Sequence, residues 1–147
     1  MKNLGTSEQA IETAESNLGL KFPLKLKSIW KTSNGLELPG GWQFFPVFDP
    51  ADPKKTCNHI GYENIKGRWP YMNAELISIA AGDTGNQLVL KKSGDSLEET
   101  IFFWDHETNK TRKWGKDLEY IQNLAKKRIE QIELQINKSM NRSKSKS

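Results

Sequence analysis

Cysteine and histidine are scarce in this sequence, and their scarcity excludes several classes of protein. The chain contains one cysteine, Cys57, and two histidines, His59 and His106. A single cysteine cannot form an internal disulfide, which fits a reducing compartment. A zinc site needs three or four ligands at characteristic spacings, and the Cys57–His59 pair supplies only two. We therefore predict no metal and no cofactor.

Long hydrophobic segments are missing as well. The longest apolar run, near Leu76 to Ala81, is far too short to cross a bilayer. The first residues also lack the apolar region of a secretory signal. These absences predict a cytoplasmic protein with no membrane partner. The length of 147 residues indicates one domain that can hold its own core.

The excess of basic charge is confined to the C-terminus. The net charge is +4, but four of the 22 basic residues lie after Asn137, and no acidic residue follows Glu133. The other 18 basic residues equal the 18 acidic residues in number, so the body of the protein is close to neutral. We predict a domain over residues 1–137 and a disordered Lys/Ser-rich tail over residues 138–147. This charge distribution argues against nucleic acid as a partner.

Periodicity predicts helices at both ends of the chain. Thr6 and Gln9 form a capping-box pattern before the first helix, and Gly19 suits the left-handed position that ends it. A second helix begins at Pro23 and ends at Asn34-Gly35. A third, long helix is predicted over residues 117–137, since apolar residues recur there at steps of three and four.

The middle of the chain has a sequence pattern that is typical of an antiparallel sheet. Short apolar runs separated by turn residues predict strands at residues 42–48, 76–80, 86–91 and 100–104. Residues 49–58 read as a loop, and residues 60–69 are ambiguous, with a short helical turn as one option. We expect one core formed by Ile11, Leu18, Leu26, Ile29, Trp30, Leu88, Leu90, Ile101, Phe103 and Leu118.

Four short motifs occur in a fixed order along the chain. They are Ile11-Glu12-Thr13-Ala14-Glu15-Ser16-Asn17-Leu18-Gly19, the helix from Pro23 to Asn34-Gly35, Gly82-Asp83-Thr84-Gly85-Asn86-Gln87-Leu88-Val89-Leu90, and Ile101-Phe102-Phe103-Trp104-Asp105-His106-Glu107. Together they resemble the SUKH (Smi/Knr-like) superfamily over about residues 7–125. One departure is Asn86, where many relatives carry an acidic residue after the glycine turn.

The resemblance implies both a fold and a function. The fold is α+β, with two N-terminal helices, a twisted antiparallel sheet of about four to six strands and a long C-terminal helix. The implied function is that of a bacterial immunity protein, which binds and neutralises a cognate polymorphic toxin, often a nuclease. The alternative is a regulatory protein-binding scaffold, as in fungal relatives linked to cell-wall synthesis. No catalytic residues belong to this fold, so we expect a binding protein rather than an enzyme.

Four residues are candidates for contact with the partner. Trp42 follows the flexible Pro39-Gly40-Gly41 segment, and exposed tryptophan is a common hot-spot residue. Asp83 lies at the tip of a glycine turn, Asn86 follows it, and Glu107 ends the last motif. A small hydrolase or a nucleic-acid-binding protein is a third possibility, but it would need a convergent pocket of titratable groups.

Overall fold

A computed structural model describes residues 5–145, and it describes side chains up to residue 140. Within this range the helices are α1 (Glu8–Leu18), α2 (Leu24–Thr32), α3 (Ile60–Ile65) and α4 (Leu118–Ser145). The strands are β1 (Glu37–Leu38), β2 (Trp42–Phe44), β3 (Leu76–Gly82), β4 (Gln87–Ser93), β5 (Ser96–Leu97), β6 (Phe102–Asp105) and β7 (Lys110–Lys113). The predicted α+β class is confirmed.

All strand pairs in the sheet are antiparallel. The order is β1-β2-β3-β4-β6-β7, and β5 pairs only with β4. The described part of the chain thus forms seven strands, whereas about four to six were predicted. The difference lies in β1, β5 and β7, which are short or made of polar residues and carry little hydrophobic signal. The strand predicted at residues 42–48 ends at Phe44, two residues before Pro46.

The first helix is capped by a different residue from the one predicted. The Ser7 side chain accepts a hydrogen bond from the backbone N–H of Ala10, so Ser7 is the N-cap. The Thr6 hydroxyl instead donates to Asp49 Oδ2 over 3.0 Å. Thr6 therefore ties the start of the helix to the loop after β2, and the predicted capping box of Thr6 and Gln9 is wrong. Gly19 ends the helix as predicted, with a φ of 67°.

The main core lies between one face of the sheet and the helices. Most of the predicted core residues are buried there, including Trp30, Leu90 and Ile101. Leu18 and Phe103 are only partly buried, which corrects the prediction for both. A smaller cluster covers the opposite face of the sheet and consists of Met72, Leu76, Val89 and Trp104. The segment between α3 and β3 supplies the cover for this second cluster.

The C-terminal helix is longer than the sequence pattern indicated. It continues past Asn137 to Ser145, although every described residue from Glu133 to Met140 is exposed. Its buried contacts with the body are made by Leu118, Ile121 and Ala125. The helix extends because local hydrogen bonds and acceptable helix propensity suffice to continue it, without tertiary packing. The division into a domain and a tail at residue 137 stays a prediction.

Removal of residues 138–147 should leave the stability of the domain almost unchanged. The described residues in this segment are exposed, and surface changes of this kind usually alter the free energy of unfolding by less than about 0.5 kcal/mol. Urea denaturation of the full chain and of a chain ending at Asn137 tests the expectation. A loss of more than about 1 kcal/mol would show that the segment packs on the body.

Candidate functional site

Three hairpin turns lie side by side at one end of the sheet. Trp42 in β2 pairs with Gly82 in β3, which brings the β1–β2 turn next to the β3–β4 turn. Gln87 in β4 pairs with Trp104 in β6, which brings the β6–β7 turn next to the β3–β4 turn on its other side. We call this surface, formed by residues 39–42, 83–86 and 106–109, the hairpin end. It contains all four residues predicted to contact a partner.

Trp42 is half-buried at one side of the hairpin end. Its ring makes edge-to-face contacts with Phe103, at 5.9 Å between centroids, and with Trp114, at 6.5 Å. These contacts hold the indole in one orientation while part of it stays exposed. The predicted partial exposure of Trp42 agrees with the structure, and the ring also packs against the core.

Asp83 and Glu107 supply exposed negative charge to the hairpin end. Neither belongs to any of the three ion pairs found among the described residues. A Cβ atom on Gly41 would lie 3.3 Å from Asp83 Oδ2, so this carboxylate stands directly beside the β1–β2 turn. The backbone N–H of Glu107 donates to Asp105 Oδ1 over 2.9 Å, which fixes the turn and leaves the Glu107 side chain exposed.

Asn86 forms hydrogen bonds within the hairpin end. Its Oδ1 accepts a hydrogen bond from the backbone N–H of His106 over 3.1 Å and lies 2.8 Å from His106 Nδ1. Its Nδ2 donates to Thr84 Oγ1 over 3.3 Å. Asn86 is predicted to contact a partner, and in the structure its Oδ1 joins the β3–β4 turn to the β6–β7 turn, while its Nδ2 bonds within its own turn. Asn86 is therefore a support of the hairpin end.

Sequence reasoning missed Trp69 and Tyr71, which pack against the hairpin end, and Asn109, which belongs to it. Trp69 stacks on the His106 ring, with 5.3 Å between centroids and 29° between planes. The Tyr71 hydroxyl donates to the backbone carbonyl of His106, and Asn109 Nδ2 donates to the Tyr71 carbonyl over 3.2 Å. Only tertiary structure brings Trp69 and Tyr71 to a turn 35 residues away. Their aromatic character was the one signal in the sequence.

Close packing of Gly85 makes the surface rigid. Its φ is +96°, and a Cβ atom there would lie 3.2 Å from the Trp69 ring and 3.3 Å from His106 Nδ1. Glycine permits both the conformation and the approach. The hairpin end is thus preformed, which lowers the entropic cost of binding.

A separate cleft of about 430 Å³ lies between α1 and α3. Its lining includes Ser7 and His59, a pair of side chains that could serve as nucleophile and base. Both are already engaged as helix caps, because Ser7 Oγ accepts the Ala10 N–H and His59 Nδ1 accepts the Tyr62 N–H over 3.2 Å. No carboxylate lines the cleft among the described residues. The cleft is lined by a mixture of uncharged polar and apolar residues.

Acidification should weaken the cap that His59 provides. Burial lowers the pKa of His59 below 6.5, so the folded protein resists the proton that the unfolded chain takes up. Stability is therefore lost as the pH falls below about 6.5, down to the folded pKa. His59→Asn keeps a cap that does not titrate, so wild type should lose more stability than this variant between pH 7 and 5. Urea denaturation at both pH values measures the difference, and equal losses would contradict the capping role.

The described residues form neither a metal-binding cluster nor a membrane-spanning helix. Within residues 5–145 no three side chains of His, Cys, Asp or Glu come together as a metal site would require. No helix in the same range combines the length and the apolar character that crossing a bilayer needs. Cys57 is exposed and free.

Fold and site together define a class of protein. Helices cover one face of an antiparallel sheet. At one end of the sheet, the hairpin end presents a half-buried tryptophan and carboxylates that belong to no ion pair among the described residues. The sequence profile of the SMI1 / KNR4 family (SUKH-1) matches residues 5–122, and the chain belongs to this family. The resemblance that the motifs indicated is confirmed. Membership supports a protein-binding role of the general immunity or SMI1-like type. The matched region ends inside α4, so the exposed part of that helix lies beyond it.

No curated protein and no solved structure showed significant similarity to the chain.

Proposed function

We propose that this chain is a cytoplasmic immunity protein that binds a cognate polymorphic toxin of the nuclease type and neutralises it. The observation that carries the proposal is the hairpin end, where three adjacent turns present Asp83, Glu107 and Trp42 on one preformed surface. Family membership supports a protein as the partner. The finer identity of that partner rests on the chemistry of the surface.

The charge of the hairpin end suits a nuclease. Nucleases bind phosphates through lysine and arginine, so their substrate-binding surfaces are basic. The unpaired carboxylates of Asp83 and Glu107 complement such a surface and speed the encounter by electrostatic steering. Trp42 supplies apolar area whose orientation is already fixed by Phe103 and Trp114. A stable complex of this kind buries about 1,200–2,000 Å² in total, enough to cover a substrate channel.

The proposed mechanism is occupancy without turnover. General acid–base or nucleophilic catalysis needs convergent groups with free polar atoms. In the cleft between α1 and α3, Ser7 Oγ and His59 Nδ1 accept hydrogen bonds from backbone N–H groups of helices and are not bonded to each other. This arrangement supports a binding protein, with one immunity molecule blocking one toxin molecule.

Co-expression tests the proposal. The chain is produced in a bacterial host together with the toxin-like protein encoded by the adjacent upstream gene, and growth and co-purification are measured. We expect growth to be restored and a complex of one to one stoichiometry to be isolated. Failure of both would overturn the immunity function. Protection by far less than one equivalent would overturn the mechanism, since occupancy demands equal amounts. Capture of a cellular enzyme without any protection would favour the regulatory scaffold.

A further inference from the structure

His106 is held in place from several sides. Its backbone N–H and its ring Nδ1 both face Asn86 Oδ1, at 3.1 and 2.8 Å. Its ring stacks on Trp69, and its backbone carbonyl accepts the Tyr71 hydroxyl. The ring is half-buried in the middle of the hairpin end, between the β3–β4 turn and the segment that carries Trp69 and Tyr71. Its orientation is therefore set by the fold.

The contacts also determine which ring nitrogen carries the hydrogen. A backbone N–H can only donate, so the atom of Asn86 that faces it must be the amide oxygen. The Asn86 Nδ2 donates to Thr84 Oγ1, which agrees with this orientation. Because an amide oxygen only accepts, the His106 Nδ1 beside it must carry a hydrogen. In the neutral imidazole the other nitrogen, Nε2, then carries a lone pair and no hydrogen.

The lone pair of Nε2 reaches solvent. Among the described residues no side chain donates to it. Every fully buried side-chain nitrogen and oxygen in this part of the chain has a hydrogen-bond partner, so Nε2, which has none, is not fully buried. Nε2 is consequently an accessible, unused hydrogen-bond acceptor. The exposed carboxylates nearby, Asp83 and Glu107, are acceptors too. Lys110 is a cation at the base of the β6–β7 turn, where it lies opposite Asp105 in the strand register.

We propose that His106 is a specificity-determining residue of the hairpin end, and that its neutral Nε2 accepts a hydrogen bond from a lysine or arginine of the bound protein. Asn86 is the positioning residue that holds the ring in this tautomer. The inference rests on the proposed function in that it takes the hairpin end as the binding surface. It adds the partner's chemistry there: a donor-rich, cationic patch.

The tautomer is tested on the free protein. Long-range ¹H–¹⁵N correlation spectra distinguish a protonated ring nitrogen from an unprotonated one. At pH 7.5 we expect His106 to be protonated at Nδ1. His59 supplies the internal contrast, since its Nδ1 accepts the Tyr62 N–H and its hydrogen must lie on Nε2. The His59→Asn variant assigns the two signals. A His106 protonated at Nε2, or averaged between the tautomers, would overturn the inference.

Recognition is tested with a hexa-arginine peptide at low ionic strength, with a hexaglutamate peptide as the control. Binding should perturb the Nε2 resonance of His106. His106→Ala should weaken peptide binding roughly three- to tenfold, as expected for loss of a hydrogen bond to a charged group at a half-exposed site. In His106→Gln an amide oxygen can occupy the position of Nε2, so this variant should recover most of the affinity. Wild-type affinity in His106→Ala, or no perturbation of Nε2, would overturn the acceptor role.

A double-mutant cycle separates positioning from simple support. Asn86→Ala should produce mixed tautomers at His106 and weaken peptide binding about as much as His106→Ala, with no further loss when both changes are combined. Additive losses would contradict the positioning role of Asn86. Both readouts are made on this chain with the peptide alone. A failure to neutralise the toxin would therefore overturn the proposed function and leave these two readouts unchanged. Neutralisation by a protein whose His106 is protonated at Nε2 would overturn only this inference.

Discussion

Trp30→Ala should destabilise the protein more than any other single substitution of an aromatic residue discussed above, by roughly 3–5 kcal/mol. The side chain is fully buried at the centre of the main core. It packs edge-to-face against Phe22, at 4.9 Å between ring centroids, and lies 6.4 Å from the ring of Phe44. Its Nε1 also donates to the Phe45 carbonyl over 3.0 Å, so removal leaves both a cavity and an unpaired buried acceptor.

Equilibrium denaturation in urea measures this loss, and two variants make the result interpretable. Trp30→Phe keeps most of the ring but lacks the N–H, so it should cost about 1–3 kcal/mol and remain measurable even if Trp30→Ala does not fold. Trp114→Ala is the matched control, because Trp114 is only partly buried and should cost less. Equal losses for Trp30→Ala and Trp114→Ala would show that the core is not centred on Trp30.

Charge reversal at both acids of the hairpin end should have the largest effect on binding. In a chain carrying Asp83→Lys and Glu107→Lys, we expect association with the cognate toxin to be slowed at least about tenfold at low salt. Both side chains are exposed and belong to no ion pair among the described residues, so the fold should tolerate the changes. Binding kinetics on immobilised toxin give the association rate directly.

Asp95→Lys is the matched control for this experiment. Asp95 is an exposed acid of a hairpin turn too, but it lies in the β4–β5 turn at the opposite end of β4. In measurements at 0.1 M salt it should leave the association rate within about twofold of wild type, because the Debye length of about 10 Å there limits its reach. The double variant's deficit should shrink as salt is raised. Equal slowing by Asp95→Lys would show that only net charge matters and that the hairpin end is not the contact surface.

Much of the fold was predictable because its signals are local. The period of apolar residues located α1, α2 and α4, and Gly19 and Pro23 marked helix ends. The strands β3, β4 and β6 are apolar enough to be recognised without their neighbours. The strand β7 was not predicted. Its residues Lys110–Lys113 are all exposed, and they join the sheet by pairing with β6. Pairing of this kind depends on a partner strand and leaves no hydrophobic pattern.

The site was predicted in part for the same reason. Glycine and aspartate are typical of turns, so the exposed acids Asp83 and Glu107 could be predicted from the sequence. The hydrogen bonds of Asn86 to His106 were not predicted, since they span 20 residues of sequence. His106 itself was not among the residues predicted to contact a partner. Its significance depends on Trp69 and Tyr71, which approach only after the second face of the sheet is covered.

The sequence by itself determined the class of fold, the family and the chemical character of the exposed turns. These follow from periodicity, turn residues and motif order, all of which act over a few residues. Only the tertiary structure decided that the three turns meet at one end of the sheet, that Asn86 supports His106, and that Trp42 is held by Phe103 and Trp114. The register of antiparallel pairing sets these neighbours, and register is fixed by the burial of a whole face rather than by any single segment.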